Sequence, residues 1–341
     1  MTYRPSAQSA DWLESYRETA SRLIAESTSN SFAWERLALL GDTFGSRLSG
    51  SKGLENAITW AVAEMQKDGL DNVRTEAVKV PHWVRGNESL EIVTPYPSPL
   101  VMLGLGNSVG TPPAGIEADV VVVRSFAELD AVAAKVKGKI VLFNVPFTNY
   151  GETVVYRGSG PSRAGALGAV AALVRAVGPT GLRTPHTGSL RYTDKDPEIP
   201  AAAVSAEDAD RLQRMQNRGT TVRLRLKMEA KFLPDADSAN VIGEIRGREL
   251  PEEVVVVGGH FDSWDVGTGS TDDGGGCIVT WDALRLMKKL NLRPRRTIRL
   301  VLFTNEENGL AGGRAYLERY RSQLGNQVMM LESDSGVFRP T

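Results

Sequence analysis

From residue 240 onward the chain alternates short apolar runs with longer amphipathic stretches, and few architectures accommodate that alternation. Residues 240–245 and 253–258 read as strands, 274–290 as a helix, 297–304 as a strand, 310–324 as a helix and 328–332 as a strand. Strands separated by helices form a mostly parallel sheet with both faces covered. The predicted fold is therefore α/β, a mixed but mostly parallel sheet with helices on both faces. Ligands of such sheets gather beyond the carboxyl ends of the strands.

Three polar clusters stand at those ends. The second strand runs into His260-Phe261-Asp262 and then Asp272-Asp273-Gly274-Gly275-Gly276. The third runs into Asn305-Glu306-Glu307-Asn308-Gly309, and the last into Ser333-Asp334-Ser335-Gly336. Each cluster is weak evidence when taken singly, since adjacent glutamates at a helix start also suit the helix dipole. Together they are specific, because an imidazole and several carboxylates converging on one sheet edge form the nitrogen and oxygen donor set of zinc. Two ions about 3.5–4 Å apart further require a bridging carboxylate and terminal ligands for each.

Upstream, 11–26 and 54–67 read as amphipathic helices, the second closed by Gly69, and both are expected to pack on a sheet. Residues 73–93 alternate in the manner of a hairpin with Gly86-Asn87 as its turn. Between 97 and 220 the texture changes to small elements: strands at 120–123, 139–144 and 202–204, helices at 126–136 and 164–176. A capping box of Ser205 and Asp208 opens a further helix. This block reads as an insertion, leaving 1–96 and 221–341 to form the main domain.

Composition excludes other classes. Forty basic residues against forty-one acidic ones give a net charge of −1, so no global field recruits nucleic acid or an anionic membrane. No apolar run approaches the ~18–20 residues of a membrane span. Apolar residues at 41% and charged residues at 24% are those of an ordinary globular chain. The three histidines, His82, His186 and His260, almost exclude a site built on a histidine cluster. His82 and His186 read as structural or pocket-wall residues, and Cys277 as a packing residue. Gly104, Gly106 and Gly110 miss the dinucleotide-binding spacing by one residue and read as a turn.

These motifs resemble those of the co-catalytic di-zinc exopeptidases, a group that includes bacterial zinc aminopeptidases and glutamate carboxypeptidases. The segments His260–Gly267, Asp272–Gly276 and Glu332–Asp334 carry the similarity, with Pro81-His82-Trp83 and Pro185-His186-Thr187-Gly188. Residues 136–143 and 199–205 resemble the protease-associated domain inserted in several exopeptidases. The resemblance implies His260, Asp272, Glu307 and Asp334 as zinc ligands, with Asp272 bridging two Zn2+ ions. It implies Glu306 as general base, Asp262 as the carboxylate that orients the ligand histidine, and a cis Asp272–Asp273 bond.

The implied activity is that of a zinc-dependent carboxypeptidase or dipeptidase, hydrolysing short peptides through a metal-bridged water. A peptide substrate follows from that activity, and the resemblance allows a homodimer. The family's fifth ligand, a histidine several tens of residues past the Asp334 position, falls beyond Thr341. The expectation is therefore a C-terminally truncated member. The family is largely exported, yet the first residues show no secretory signal, which points to a misplaced start or a cytoplasmic variant. Two alternatives remain open at this level: an inactive binding homologue, and a single-zinc acyltransferase of the glutaminyl-cyclase type.

Overall fold

The computed structural model describes residues 8–337. Helices α1 (Gln8–Thr28), α2 (Phe32–Phe44) and α3 (Lys52–Lys67) lead into strand β1 (Asp71–Val84). Next come β2 (Glu88–Thr94), β3 (Ser98–Leu100), β4 (Met102–Gly104), β5 (Ile116–Val123), α4 (Phe126–Ala131) and β6 (Ile140–Phe143). They are followed by α5 (Tyr150–Ala166), β7 (Ala171–Arg175), β8 (Ala201–Val204), α6 (Ala206–Asn217) and β9 (Arg223–Met228). The last stretch holds β10 (Lys231–Ile245), β11 (Leu250–His260), α7 (Gly275–Lys289), β12 (Arg296–Phe303), α8 (Ala311–Tyr320) and β13 (Gln327–Glu332). Two compact units result, one from the chain up to Val80 and from Ala236 on, the other Pro81–Asp235.

The first unit is built on a five-stranded sheet in the order β1-β10-β12-β11-β13. Strand β11 runs parallel to both β12 and β13, while β10 is antiparallel to β12. Alternation along the strands sends side chains to opposite faces. Val241, Leu300 and Leu302 join α3 residues Leu54, Ala57, Ile58, Ala61 and Met65 and α7 residues Ile278, Trp281 and Leu284 in one core. Ile242, Val256, Val301 and Phe303 meet Tyr316 and Tyr320 on the other face. Helix α3 begins where the Ser51 side chain accepts the Leu54 N–H, and it ends before Gly69 at φ 74°.

The second unit carries an eight-stranded sheet, β3-β2-β9-β5-β6-β7-β8-β4, with β5 through β8 parallel. Strands β6, β7 and β8 are buried along their whole length. The sequence-based joins at 96/97 and 220/221 fall inside this unit, because β2 pairs with β3 and β9.

Four local expectations are corrected. Residues 164–176 do not form one helix: α5 ends at Ala166, Gly168 turns the chain at φ 83°, and 171–175 form β7. An Ala-rich run buried on both faces has no period from which to tell a strand from a helix. Strands β1 and β2 flank the Gly86-Asn87 turn but belong to different sheets, so they are not a hairpin. Helix α1 does not pack on a sheet; Leu13, Tyr16 and Ile24 are exposed, and Glu26 pairs with Lys289 at the end of α7. The capping box at Ser205 is half made. Its side chain accepts the Asp208 N–H, whereas the Asp208 carboxylate turns to the Val101 N–H and to Arg183.

Trp281 concentrates several of these contacts. It is fully buried, its ring lies 5.6 Å from Trp60 and 4.5 Å from the Arg36 guanidinium, and its Nε1 donates to Asp68 at 2.8 Å. Trp281→Ala opens a cavity and leaves Asp68 without that donor, so unfolding in urea should show a loss of about 3–5 kcal/mol. A loss below ~1 kcal/mol would contradict this packing.

Candidate active site

The carboxyl ends of β11, β12 and β13 carry the polar residues that the sequence singled out. His260 closes β11 and is buried, with Asp262 two residues beyond it. Glu306 and Glu307 follow β12, and Asp334 follows β13. Asp272 stands in the turn before α7, and its bond to Asp273 is cis.

His260 Nε2 lies 3.0 Å from Asp272 Oδ1 and 3.6 Å from Asp334 Oδ1. Among the described residues, these three are the histidine, cysteine and carboxylate group whose ligand atoms lie within 4.8 Å of one another. Donors held ~2.0–2.2 Å from a tetrahedral zinc stand about 3.3–3.5 Å apart, so the spacing suits such an ion. The other ring nitrogen, Nδ1, lies 3.0 Å from the Asp262 backbone oxygen and 3.8 Å from its carboxylate. The two Asp262 carboxylate oxygens instead accept the backbone N–H groups of Glu306 at 2.9 Å and Glu307 at 3.2 Å. Asp262 thus links the end of β11 to the two glutamates.

Several acidic side chains around one imidazole raise the proton affinities of the group. Burial disfavours a charged His260, but the hydrogen bond to Asp272, the nearby Asp334 carboxylate and the charges of Asp262 and Glu307 outweigh it and push the imidazole up to about 12. Burial and the neighbouring Asp272 charge push Glu307 up to about 9. Burial also raises Glu306, Glu332 and Asp262. A divalent cation would supply the positive charge these protons now provide, so the donor set fits a metal.

Asp273 and Asn305, which the sequence placed in the polar clusters without a role as supports, hold the site in shape. Asp273 is fully buried and accepts the His260 N–H and the Gly276 N–H, both at 3.1 Å, joining β11 to the start of α7. Burial pushes it up to about 7, with the Asp334 charge adding to the shift. Its position three residues before Gly276 is the only sequence trace of this capping role. Asn305, at φ 62°, bonds Ser49 and Asn308 and accepts the Ala311 N–H, which fixes the turn that carries the two glutamates. Cys277 is buried, as expected, and its Sγ donates to the His260 carbonyl at 3.1 Å. His82 and His186 belong to the other unit, where His186 Nδ1 lies 3.4 Å from Arg157 Nη1.

Comparison with known proteins places this geometry. Residues 240–339 match peptidase family M28 and residues 98–212 match the PA domain. Carboxypeptidase Q of Xenopus laevis is 49% identical over 331 residues, covering 96% of this chain and 71% of that protein. The chain belongs to peptidase family M28. Human carboxypeptidase Q is also 49% identical, over 91% of this chain and 66% of its own length. The crystal structure of a peptidase M28 precursor from Shewanella amazonensis superposes with a TM-score of 0.91 at 35% identity, covering 95% of this chain and 75% of that one. A zinc aminopeptidase from Bacillus subtilis shares the fold at 21% identity, with a TM-score of 0.65 over 89% of this chain and 68% of that one. The chain thus pairs a stretch matching peptidase family M28 with one matching the PA domain. Among the described residues, no helix is long and apolar enough to cross a membrane.

Metal uptake should displace the protons that now hold the cluster. At pH 7, His260 at about 12 and Glu307 at about 9 are both protonated. Zinc titrated into the metal-free chain should therefore release about two protons and bind more tightly as pH rises. Calorimetry in two buffers of different ionisation enthalpy measures that release. Binding without proton release would mean that His260 and Glu307 do not take the ion.

Proposed function

We propose that this chain carries the catalytic site of a zinc-dependent exopeptidase that removes terminal residues from dipeptides or short peptides. The observation that supports it most is the cluster of His260, Asp272 and Asp334 at the carboxyl ends of parallel strands, in a chain of family M28. In this reading His260, Asp272, Glu307 and Asp334 would hold the zinc, and the metal would supply Lewis-acid chemistry at the sheet edge. The 49% identity to carboxypeptidase Q favours carboxypeptidase or dipeptidase action. The presence of His260, Asp272, Glu306, Glu307 and Asp334 together argues against an inactive binding homologue, and the same relatives disfavour the acyltransferase alternative.

Bound zinc would supply a Lewis acid that polarises the scissile carbonyl and lowers the pKa of water. Glu306 acts as general base. Its burial raises its proton affinity, which strengthens it as a proton acceptor. It takes a proton from the attacking water as the water oxygen bonds to the carbonyl carbon. When the carbon–nitrogen bond breaks, Glu306 returns that proton to the leaving amine. Asp262 holds the backbone of Glu306 and Glu307, so one carboxylate can face the water while its neighbour faces the metal.

Glu306→Gln tests this division of roles. It removes the proton acceptor and preserves the proposed ligands, so zinc content should stay as in the wild type. Dipeptide turnover should fall about 10²–10⁴-fold. Metal analysis and a dipeptidase assay on the same samples check it; wild-type turnover in the variant would remove Glu306 from the mechanism.

A further inference from the structure

Arg47 is fully buried, and among the described residues its side-chain hydrogen bonds go to main-chain carbonyls. Its Nε donates to Phe261 O at 2.8 Å, Nη1 to Gly45 O at 3.1 Å and Thr268 O at 2.7 Å, and Nη2 to Gly269 O at 3.0 Å. Its backbone adds two more bonds, N–H to Ser263 Oγ at 2.9 Å and the carbonyl to Ser263 N–H at 3.1 Å. All but the bond to Gly45 reach the loop between Phe261 and Gly269.

That loop separates His260 from Asp272. One end is covalently next to His260. At the other, the Gly269 carbonyl also accepts the Gly274 N–H at 2.9 Å, closing the turn that contains Asp272. A loop of this length has many conformations, and each would set a different distance between the two side chains. The planar guanidinium selects one, since its fork of five donors meets several converging carbonyls at once. An ammonium group has three donors on a single atom and cannot span the same set.

We propose that Arg47 is a positioning residue for the metal site, clamping the 261–269 loop so that His260 and Asp272 arrive preorganised at their 3.0 Å separation. The proposal rests on reading these two residues as zinc ligands. It makes part of the zinc affinity a property of an arginine whose side-chain hydrogen bonds, among the described residues, go to main-chain carbonyls.

The test uses the full chain with Arg47→Lys, which keeps the charge, and Ser263→Ala, which removes the acceptor of the Arg47 N–H together with the hydroxyl's own bond to the Trp264 carbonyl. Zinc alone is titrated into metal-free protein by competition with a chromophoric chelator. Arg47→Lys should weaken zinc binding about 10–100-fold and Ser263→Ala by less, as expected for groups that orient ligands. In the metal-free state, amide exchange at 261–270 should rise at least ~10-fold in Arg47→Lys, with the strands of the second unit unchanged. Cobalt taken up in place of zinc should show an altered visible spectrum.

A folded Arg47→Lys with wild-type zinc affinity and loop protection overturns the proposal. If that variant does not fold, Ser263→Ala decides, and wild-type affinity and protection there overturn it equally. A wild-type chain that takes up no zinc would remove the metal reading and this inference with it. Zinc binding indifferent to both substitutions would remove the inference alone.

Discussion

Everything at the candidate site depends on three neighbouring strands running in the same direction. Strand β11 lies between β12 and β13, parallel to both, with His260 opposite Phe303 and Gly258 opposite Glu332. That register brings the chain after each strand out at the same edge, although the three segments are far apart in sequence. Side chains alternate faces, so a slip of one residue in β11 would turn His260 to the other side of the sheet. The apolar alternation of Val254 and Val256 against the α8 side resists such a slip, because the same slip would take both out of the core. Packing of the sheet and placement of the imidazole are thus one constraint.

The site gathers more negative charge than a partly buried pocket can hold without compensation. Asp262 and Asp273 are the most deeply buried of its carboxylates, and both are met by backbone N–H groups. Main-chain donors serve there because they are fixed by the fold and bring no added bulk. Asp272 and Asp334 are more open, with side chains 65% and 45% exposed, which leaves them accessible to an ion from solvent. The gradient from buried, backbone-bonded carboxylates to open ones separates groups that hold the shape of the site from groups available to ligate.

The parallel run after residue 240 was legible because its strands are short and apolar and its helices long and amphipathic. The juxtaposition of His260, Asp272 and Asp334 was legible for the same reason, since polar clusters just beyond such strands have few structural explanations. The α5–β7 region was not legible. Alanine and glycine dominate it, and alanine in a strand buried on both faces carries the helix propensity of any other alanine. The first half of β10 is largely exposed and interrupted by Pro234 and two aspartates, so its strand character arises from pairing that lies outside its own sequence. Arg47 was the least visible. Its partners after residue 260 lie more than 200 positions away, and most are main-chain oxygens that leave no side-chain pattern.

Cys277 gives the site an internal clock. It is the only thiol in the chain, it is fully buried, and it bonds the carbonyl of His260 from the first turn of α7. Burial pushes its pKa well above the ordinary thiol value, so in the closed protein it is both shielded and protonated. A thiol reagent can reach it only when α7 and the end of β11 part. The labelling rate of an otherwise unmodified protein therefore counts how often that seam opens, with no engineered probe to disturb it.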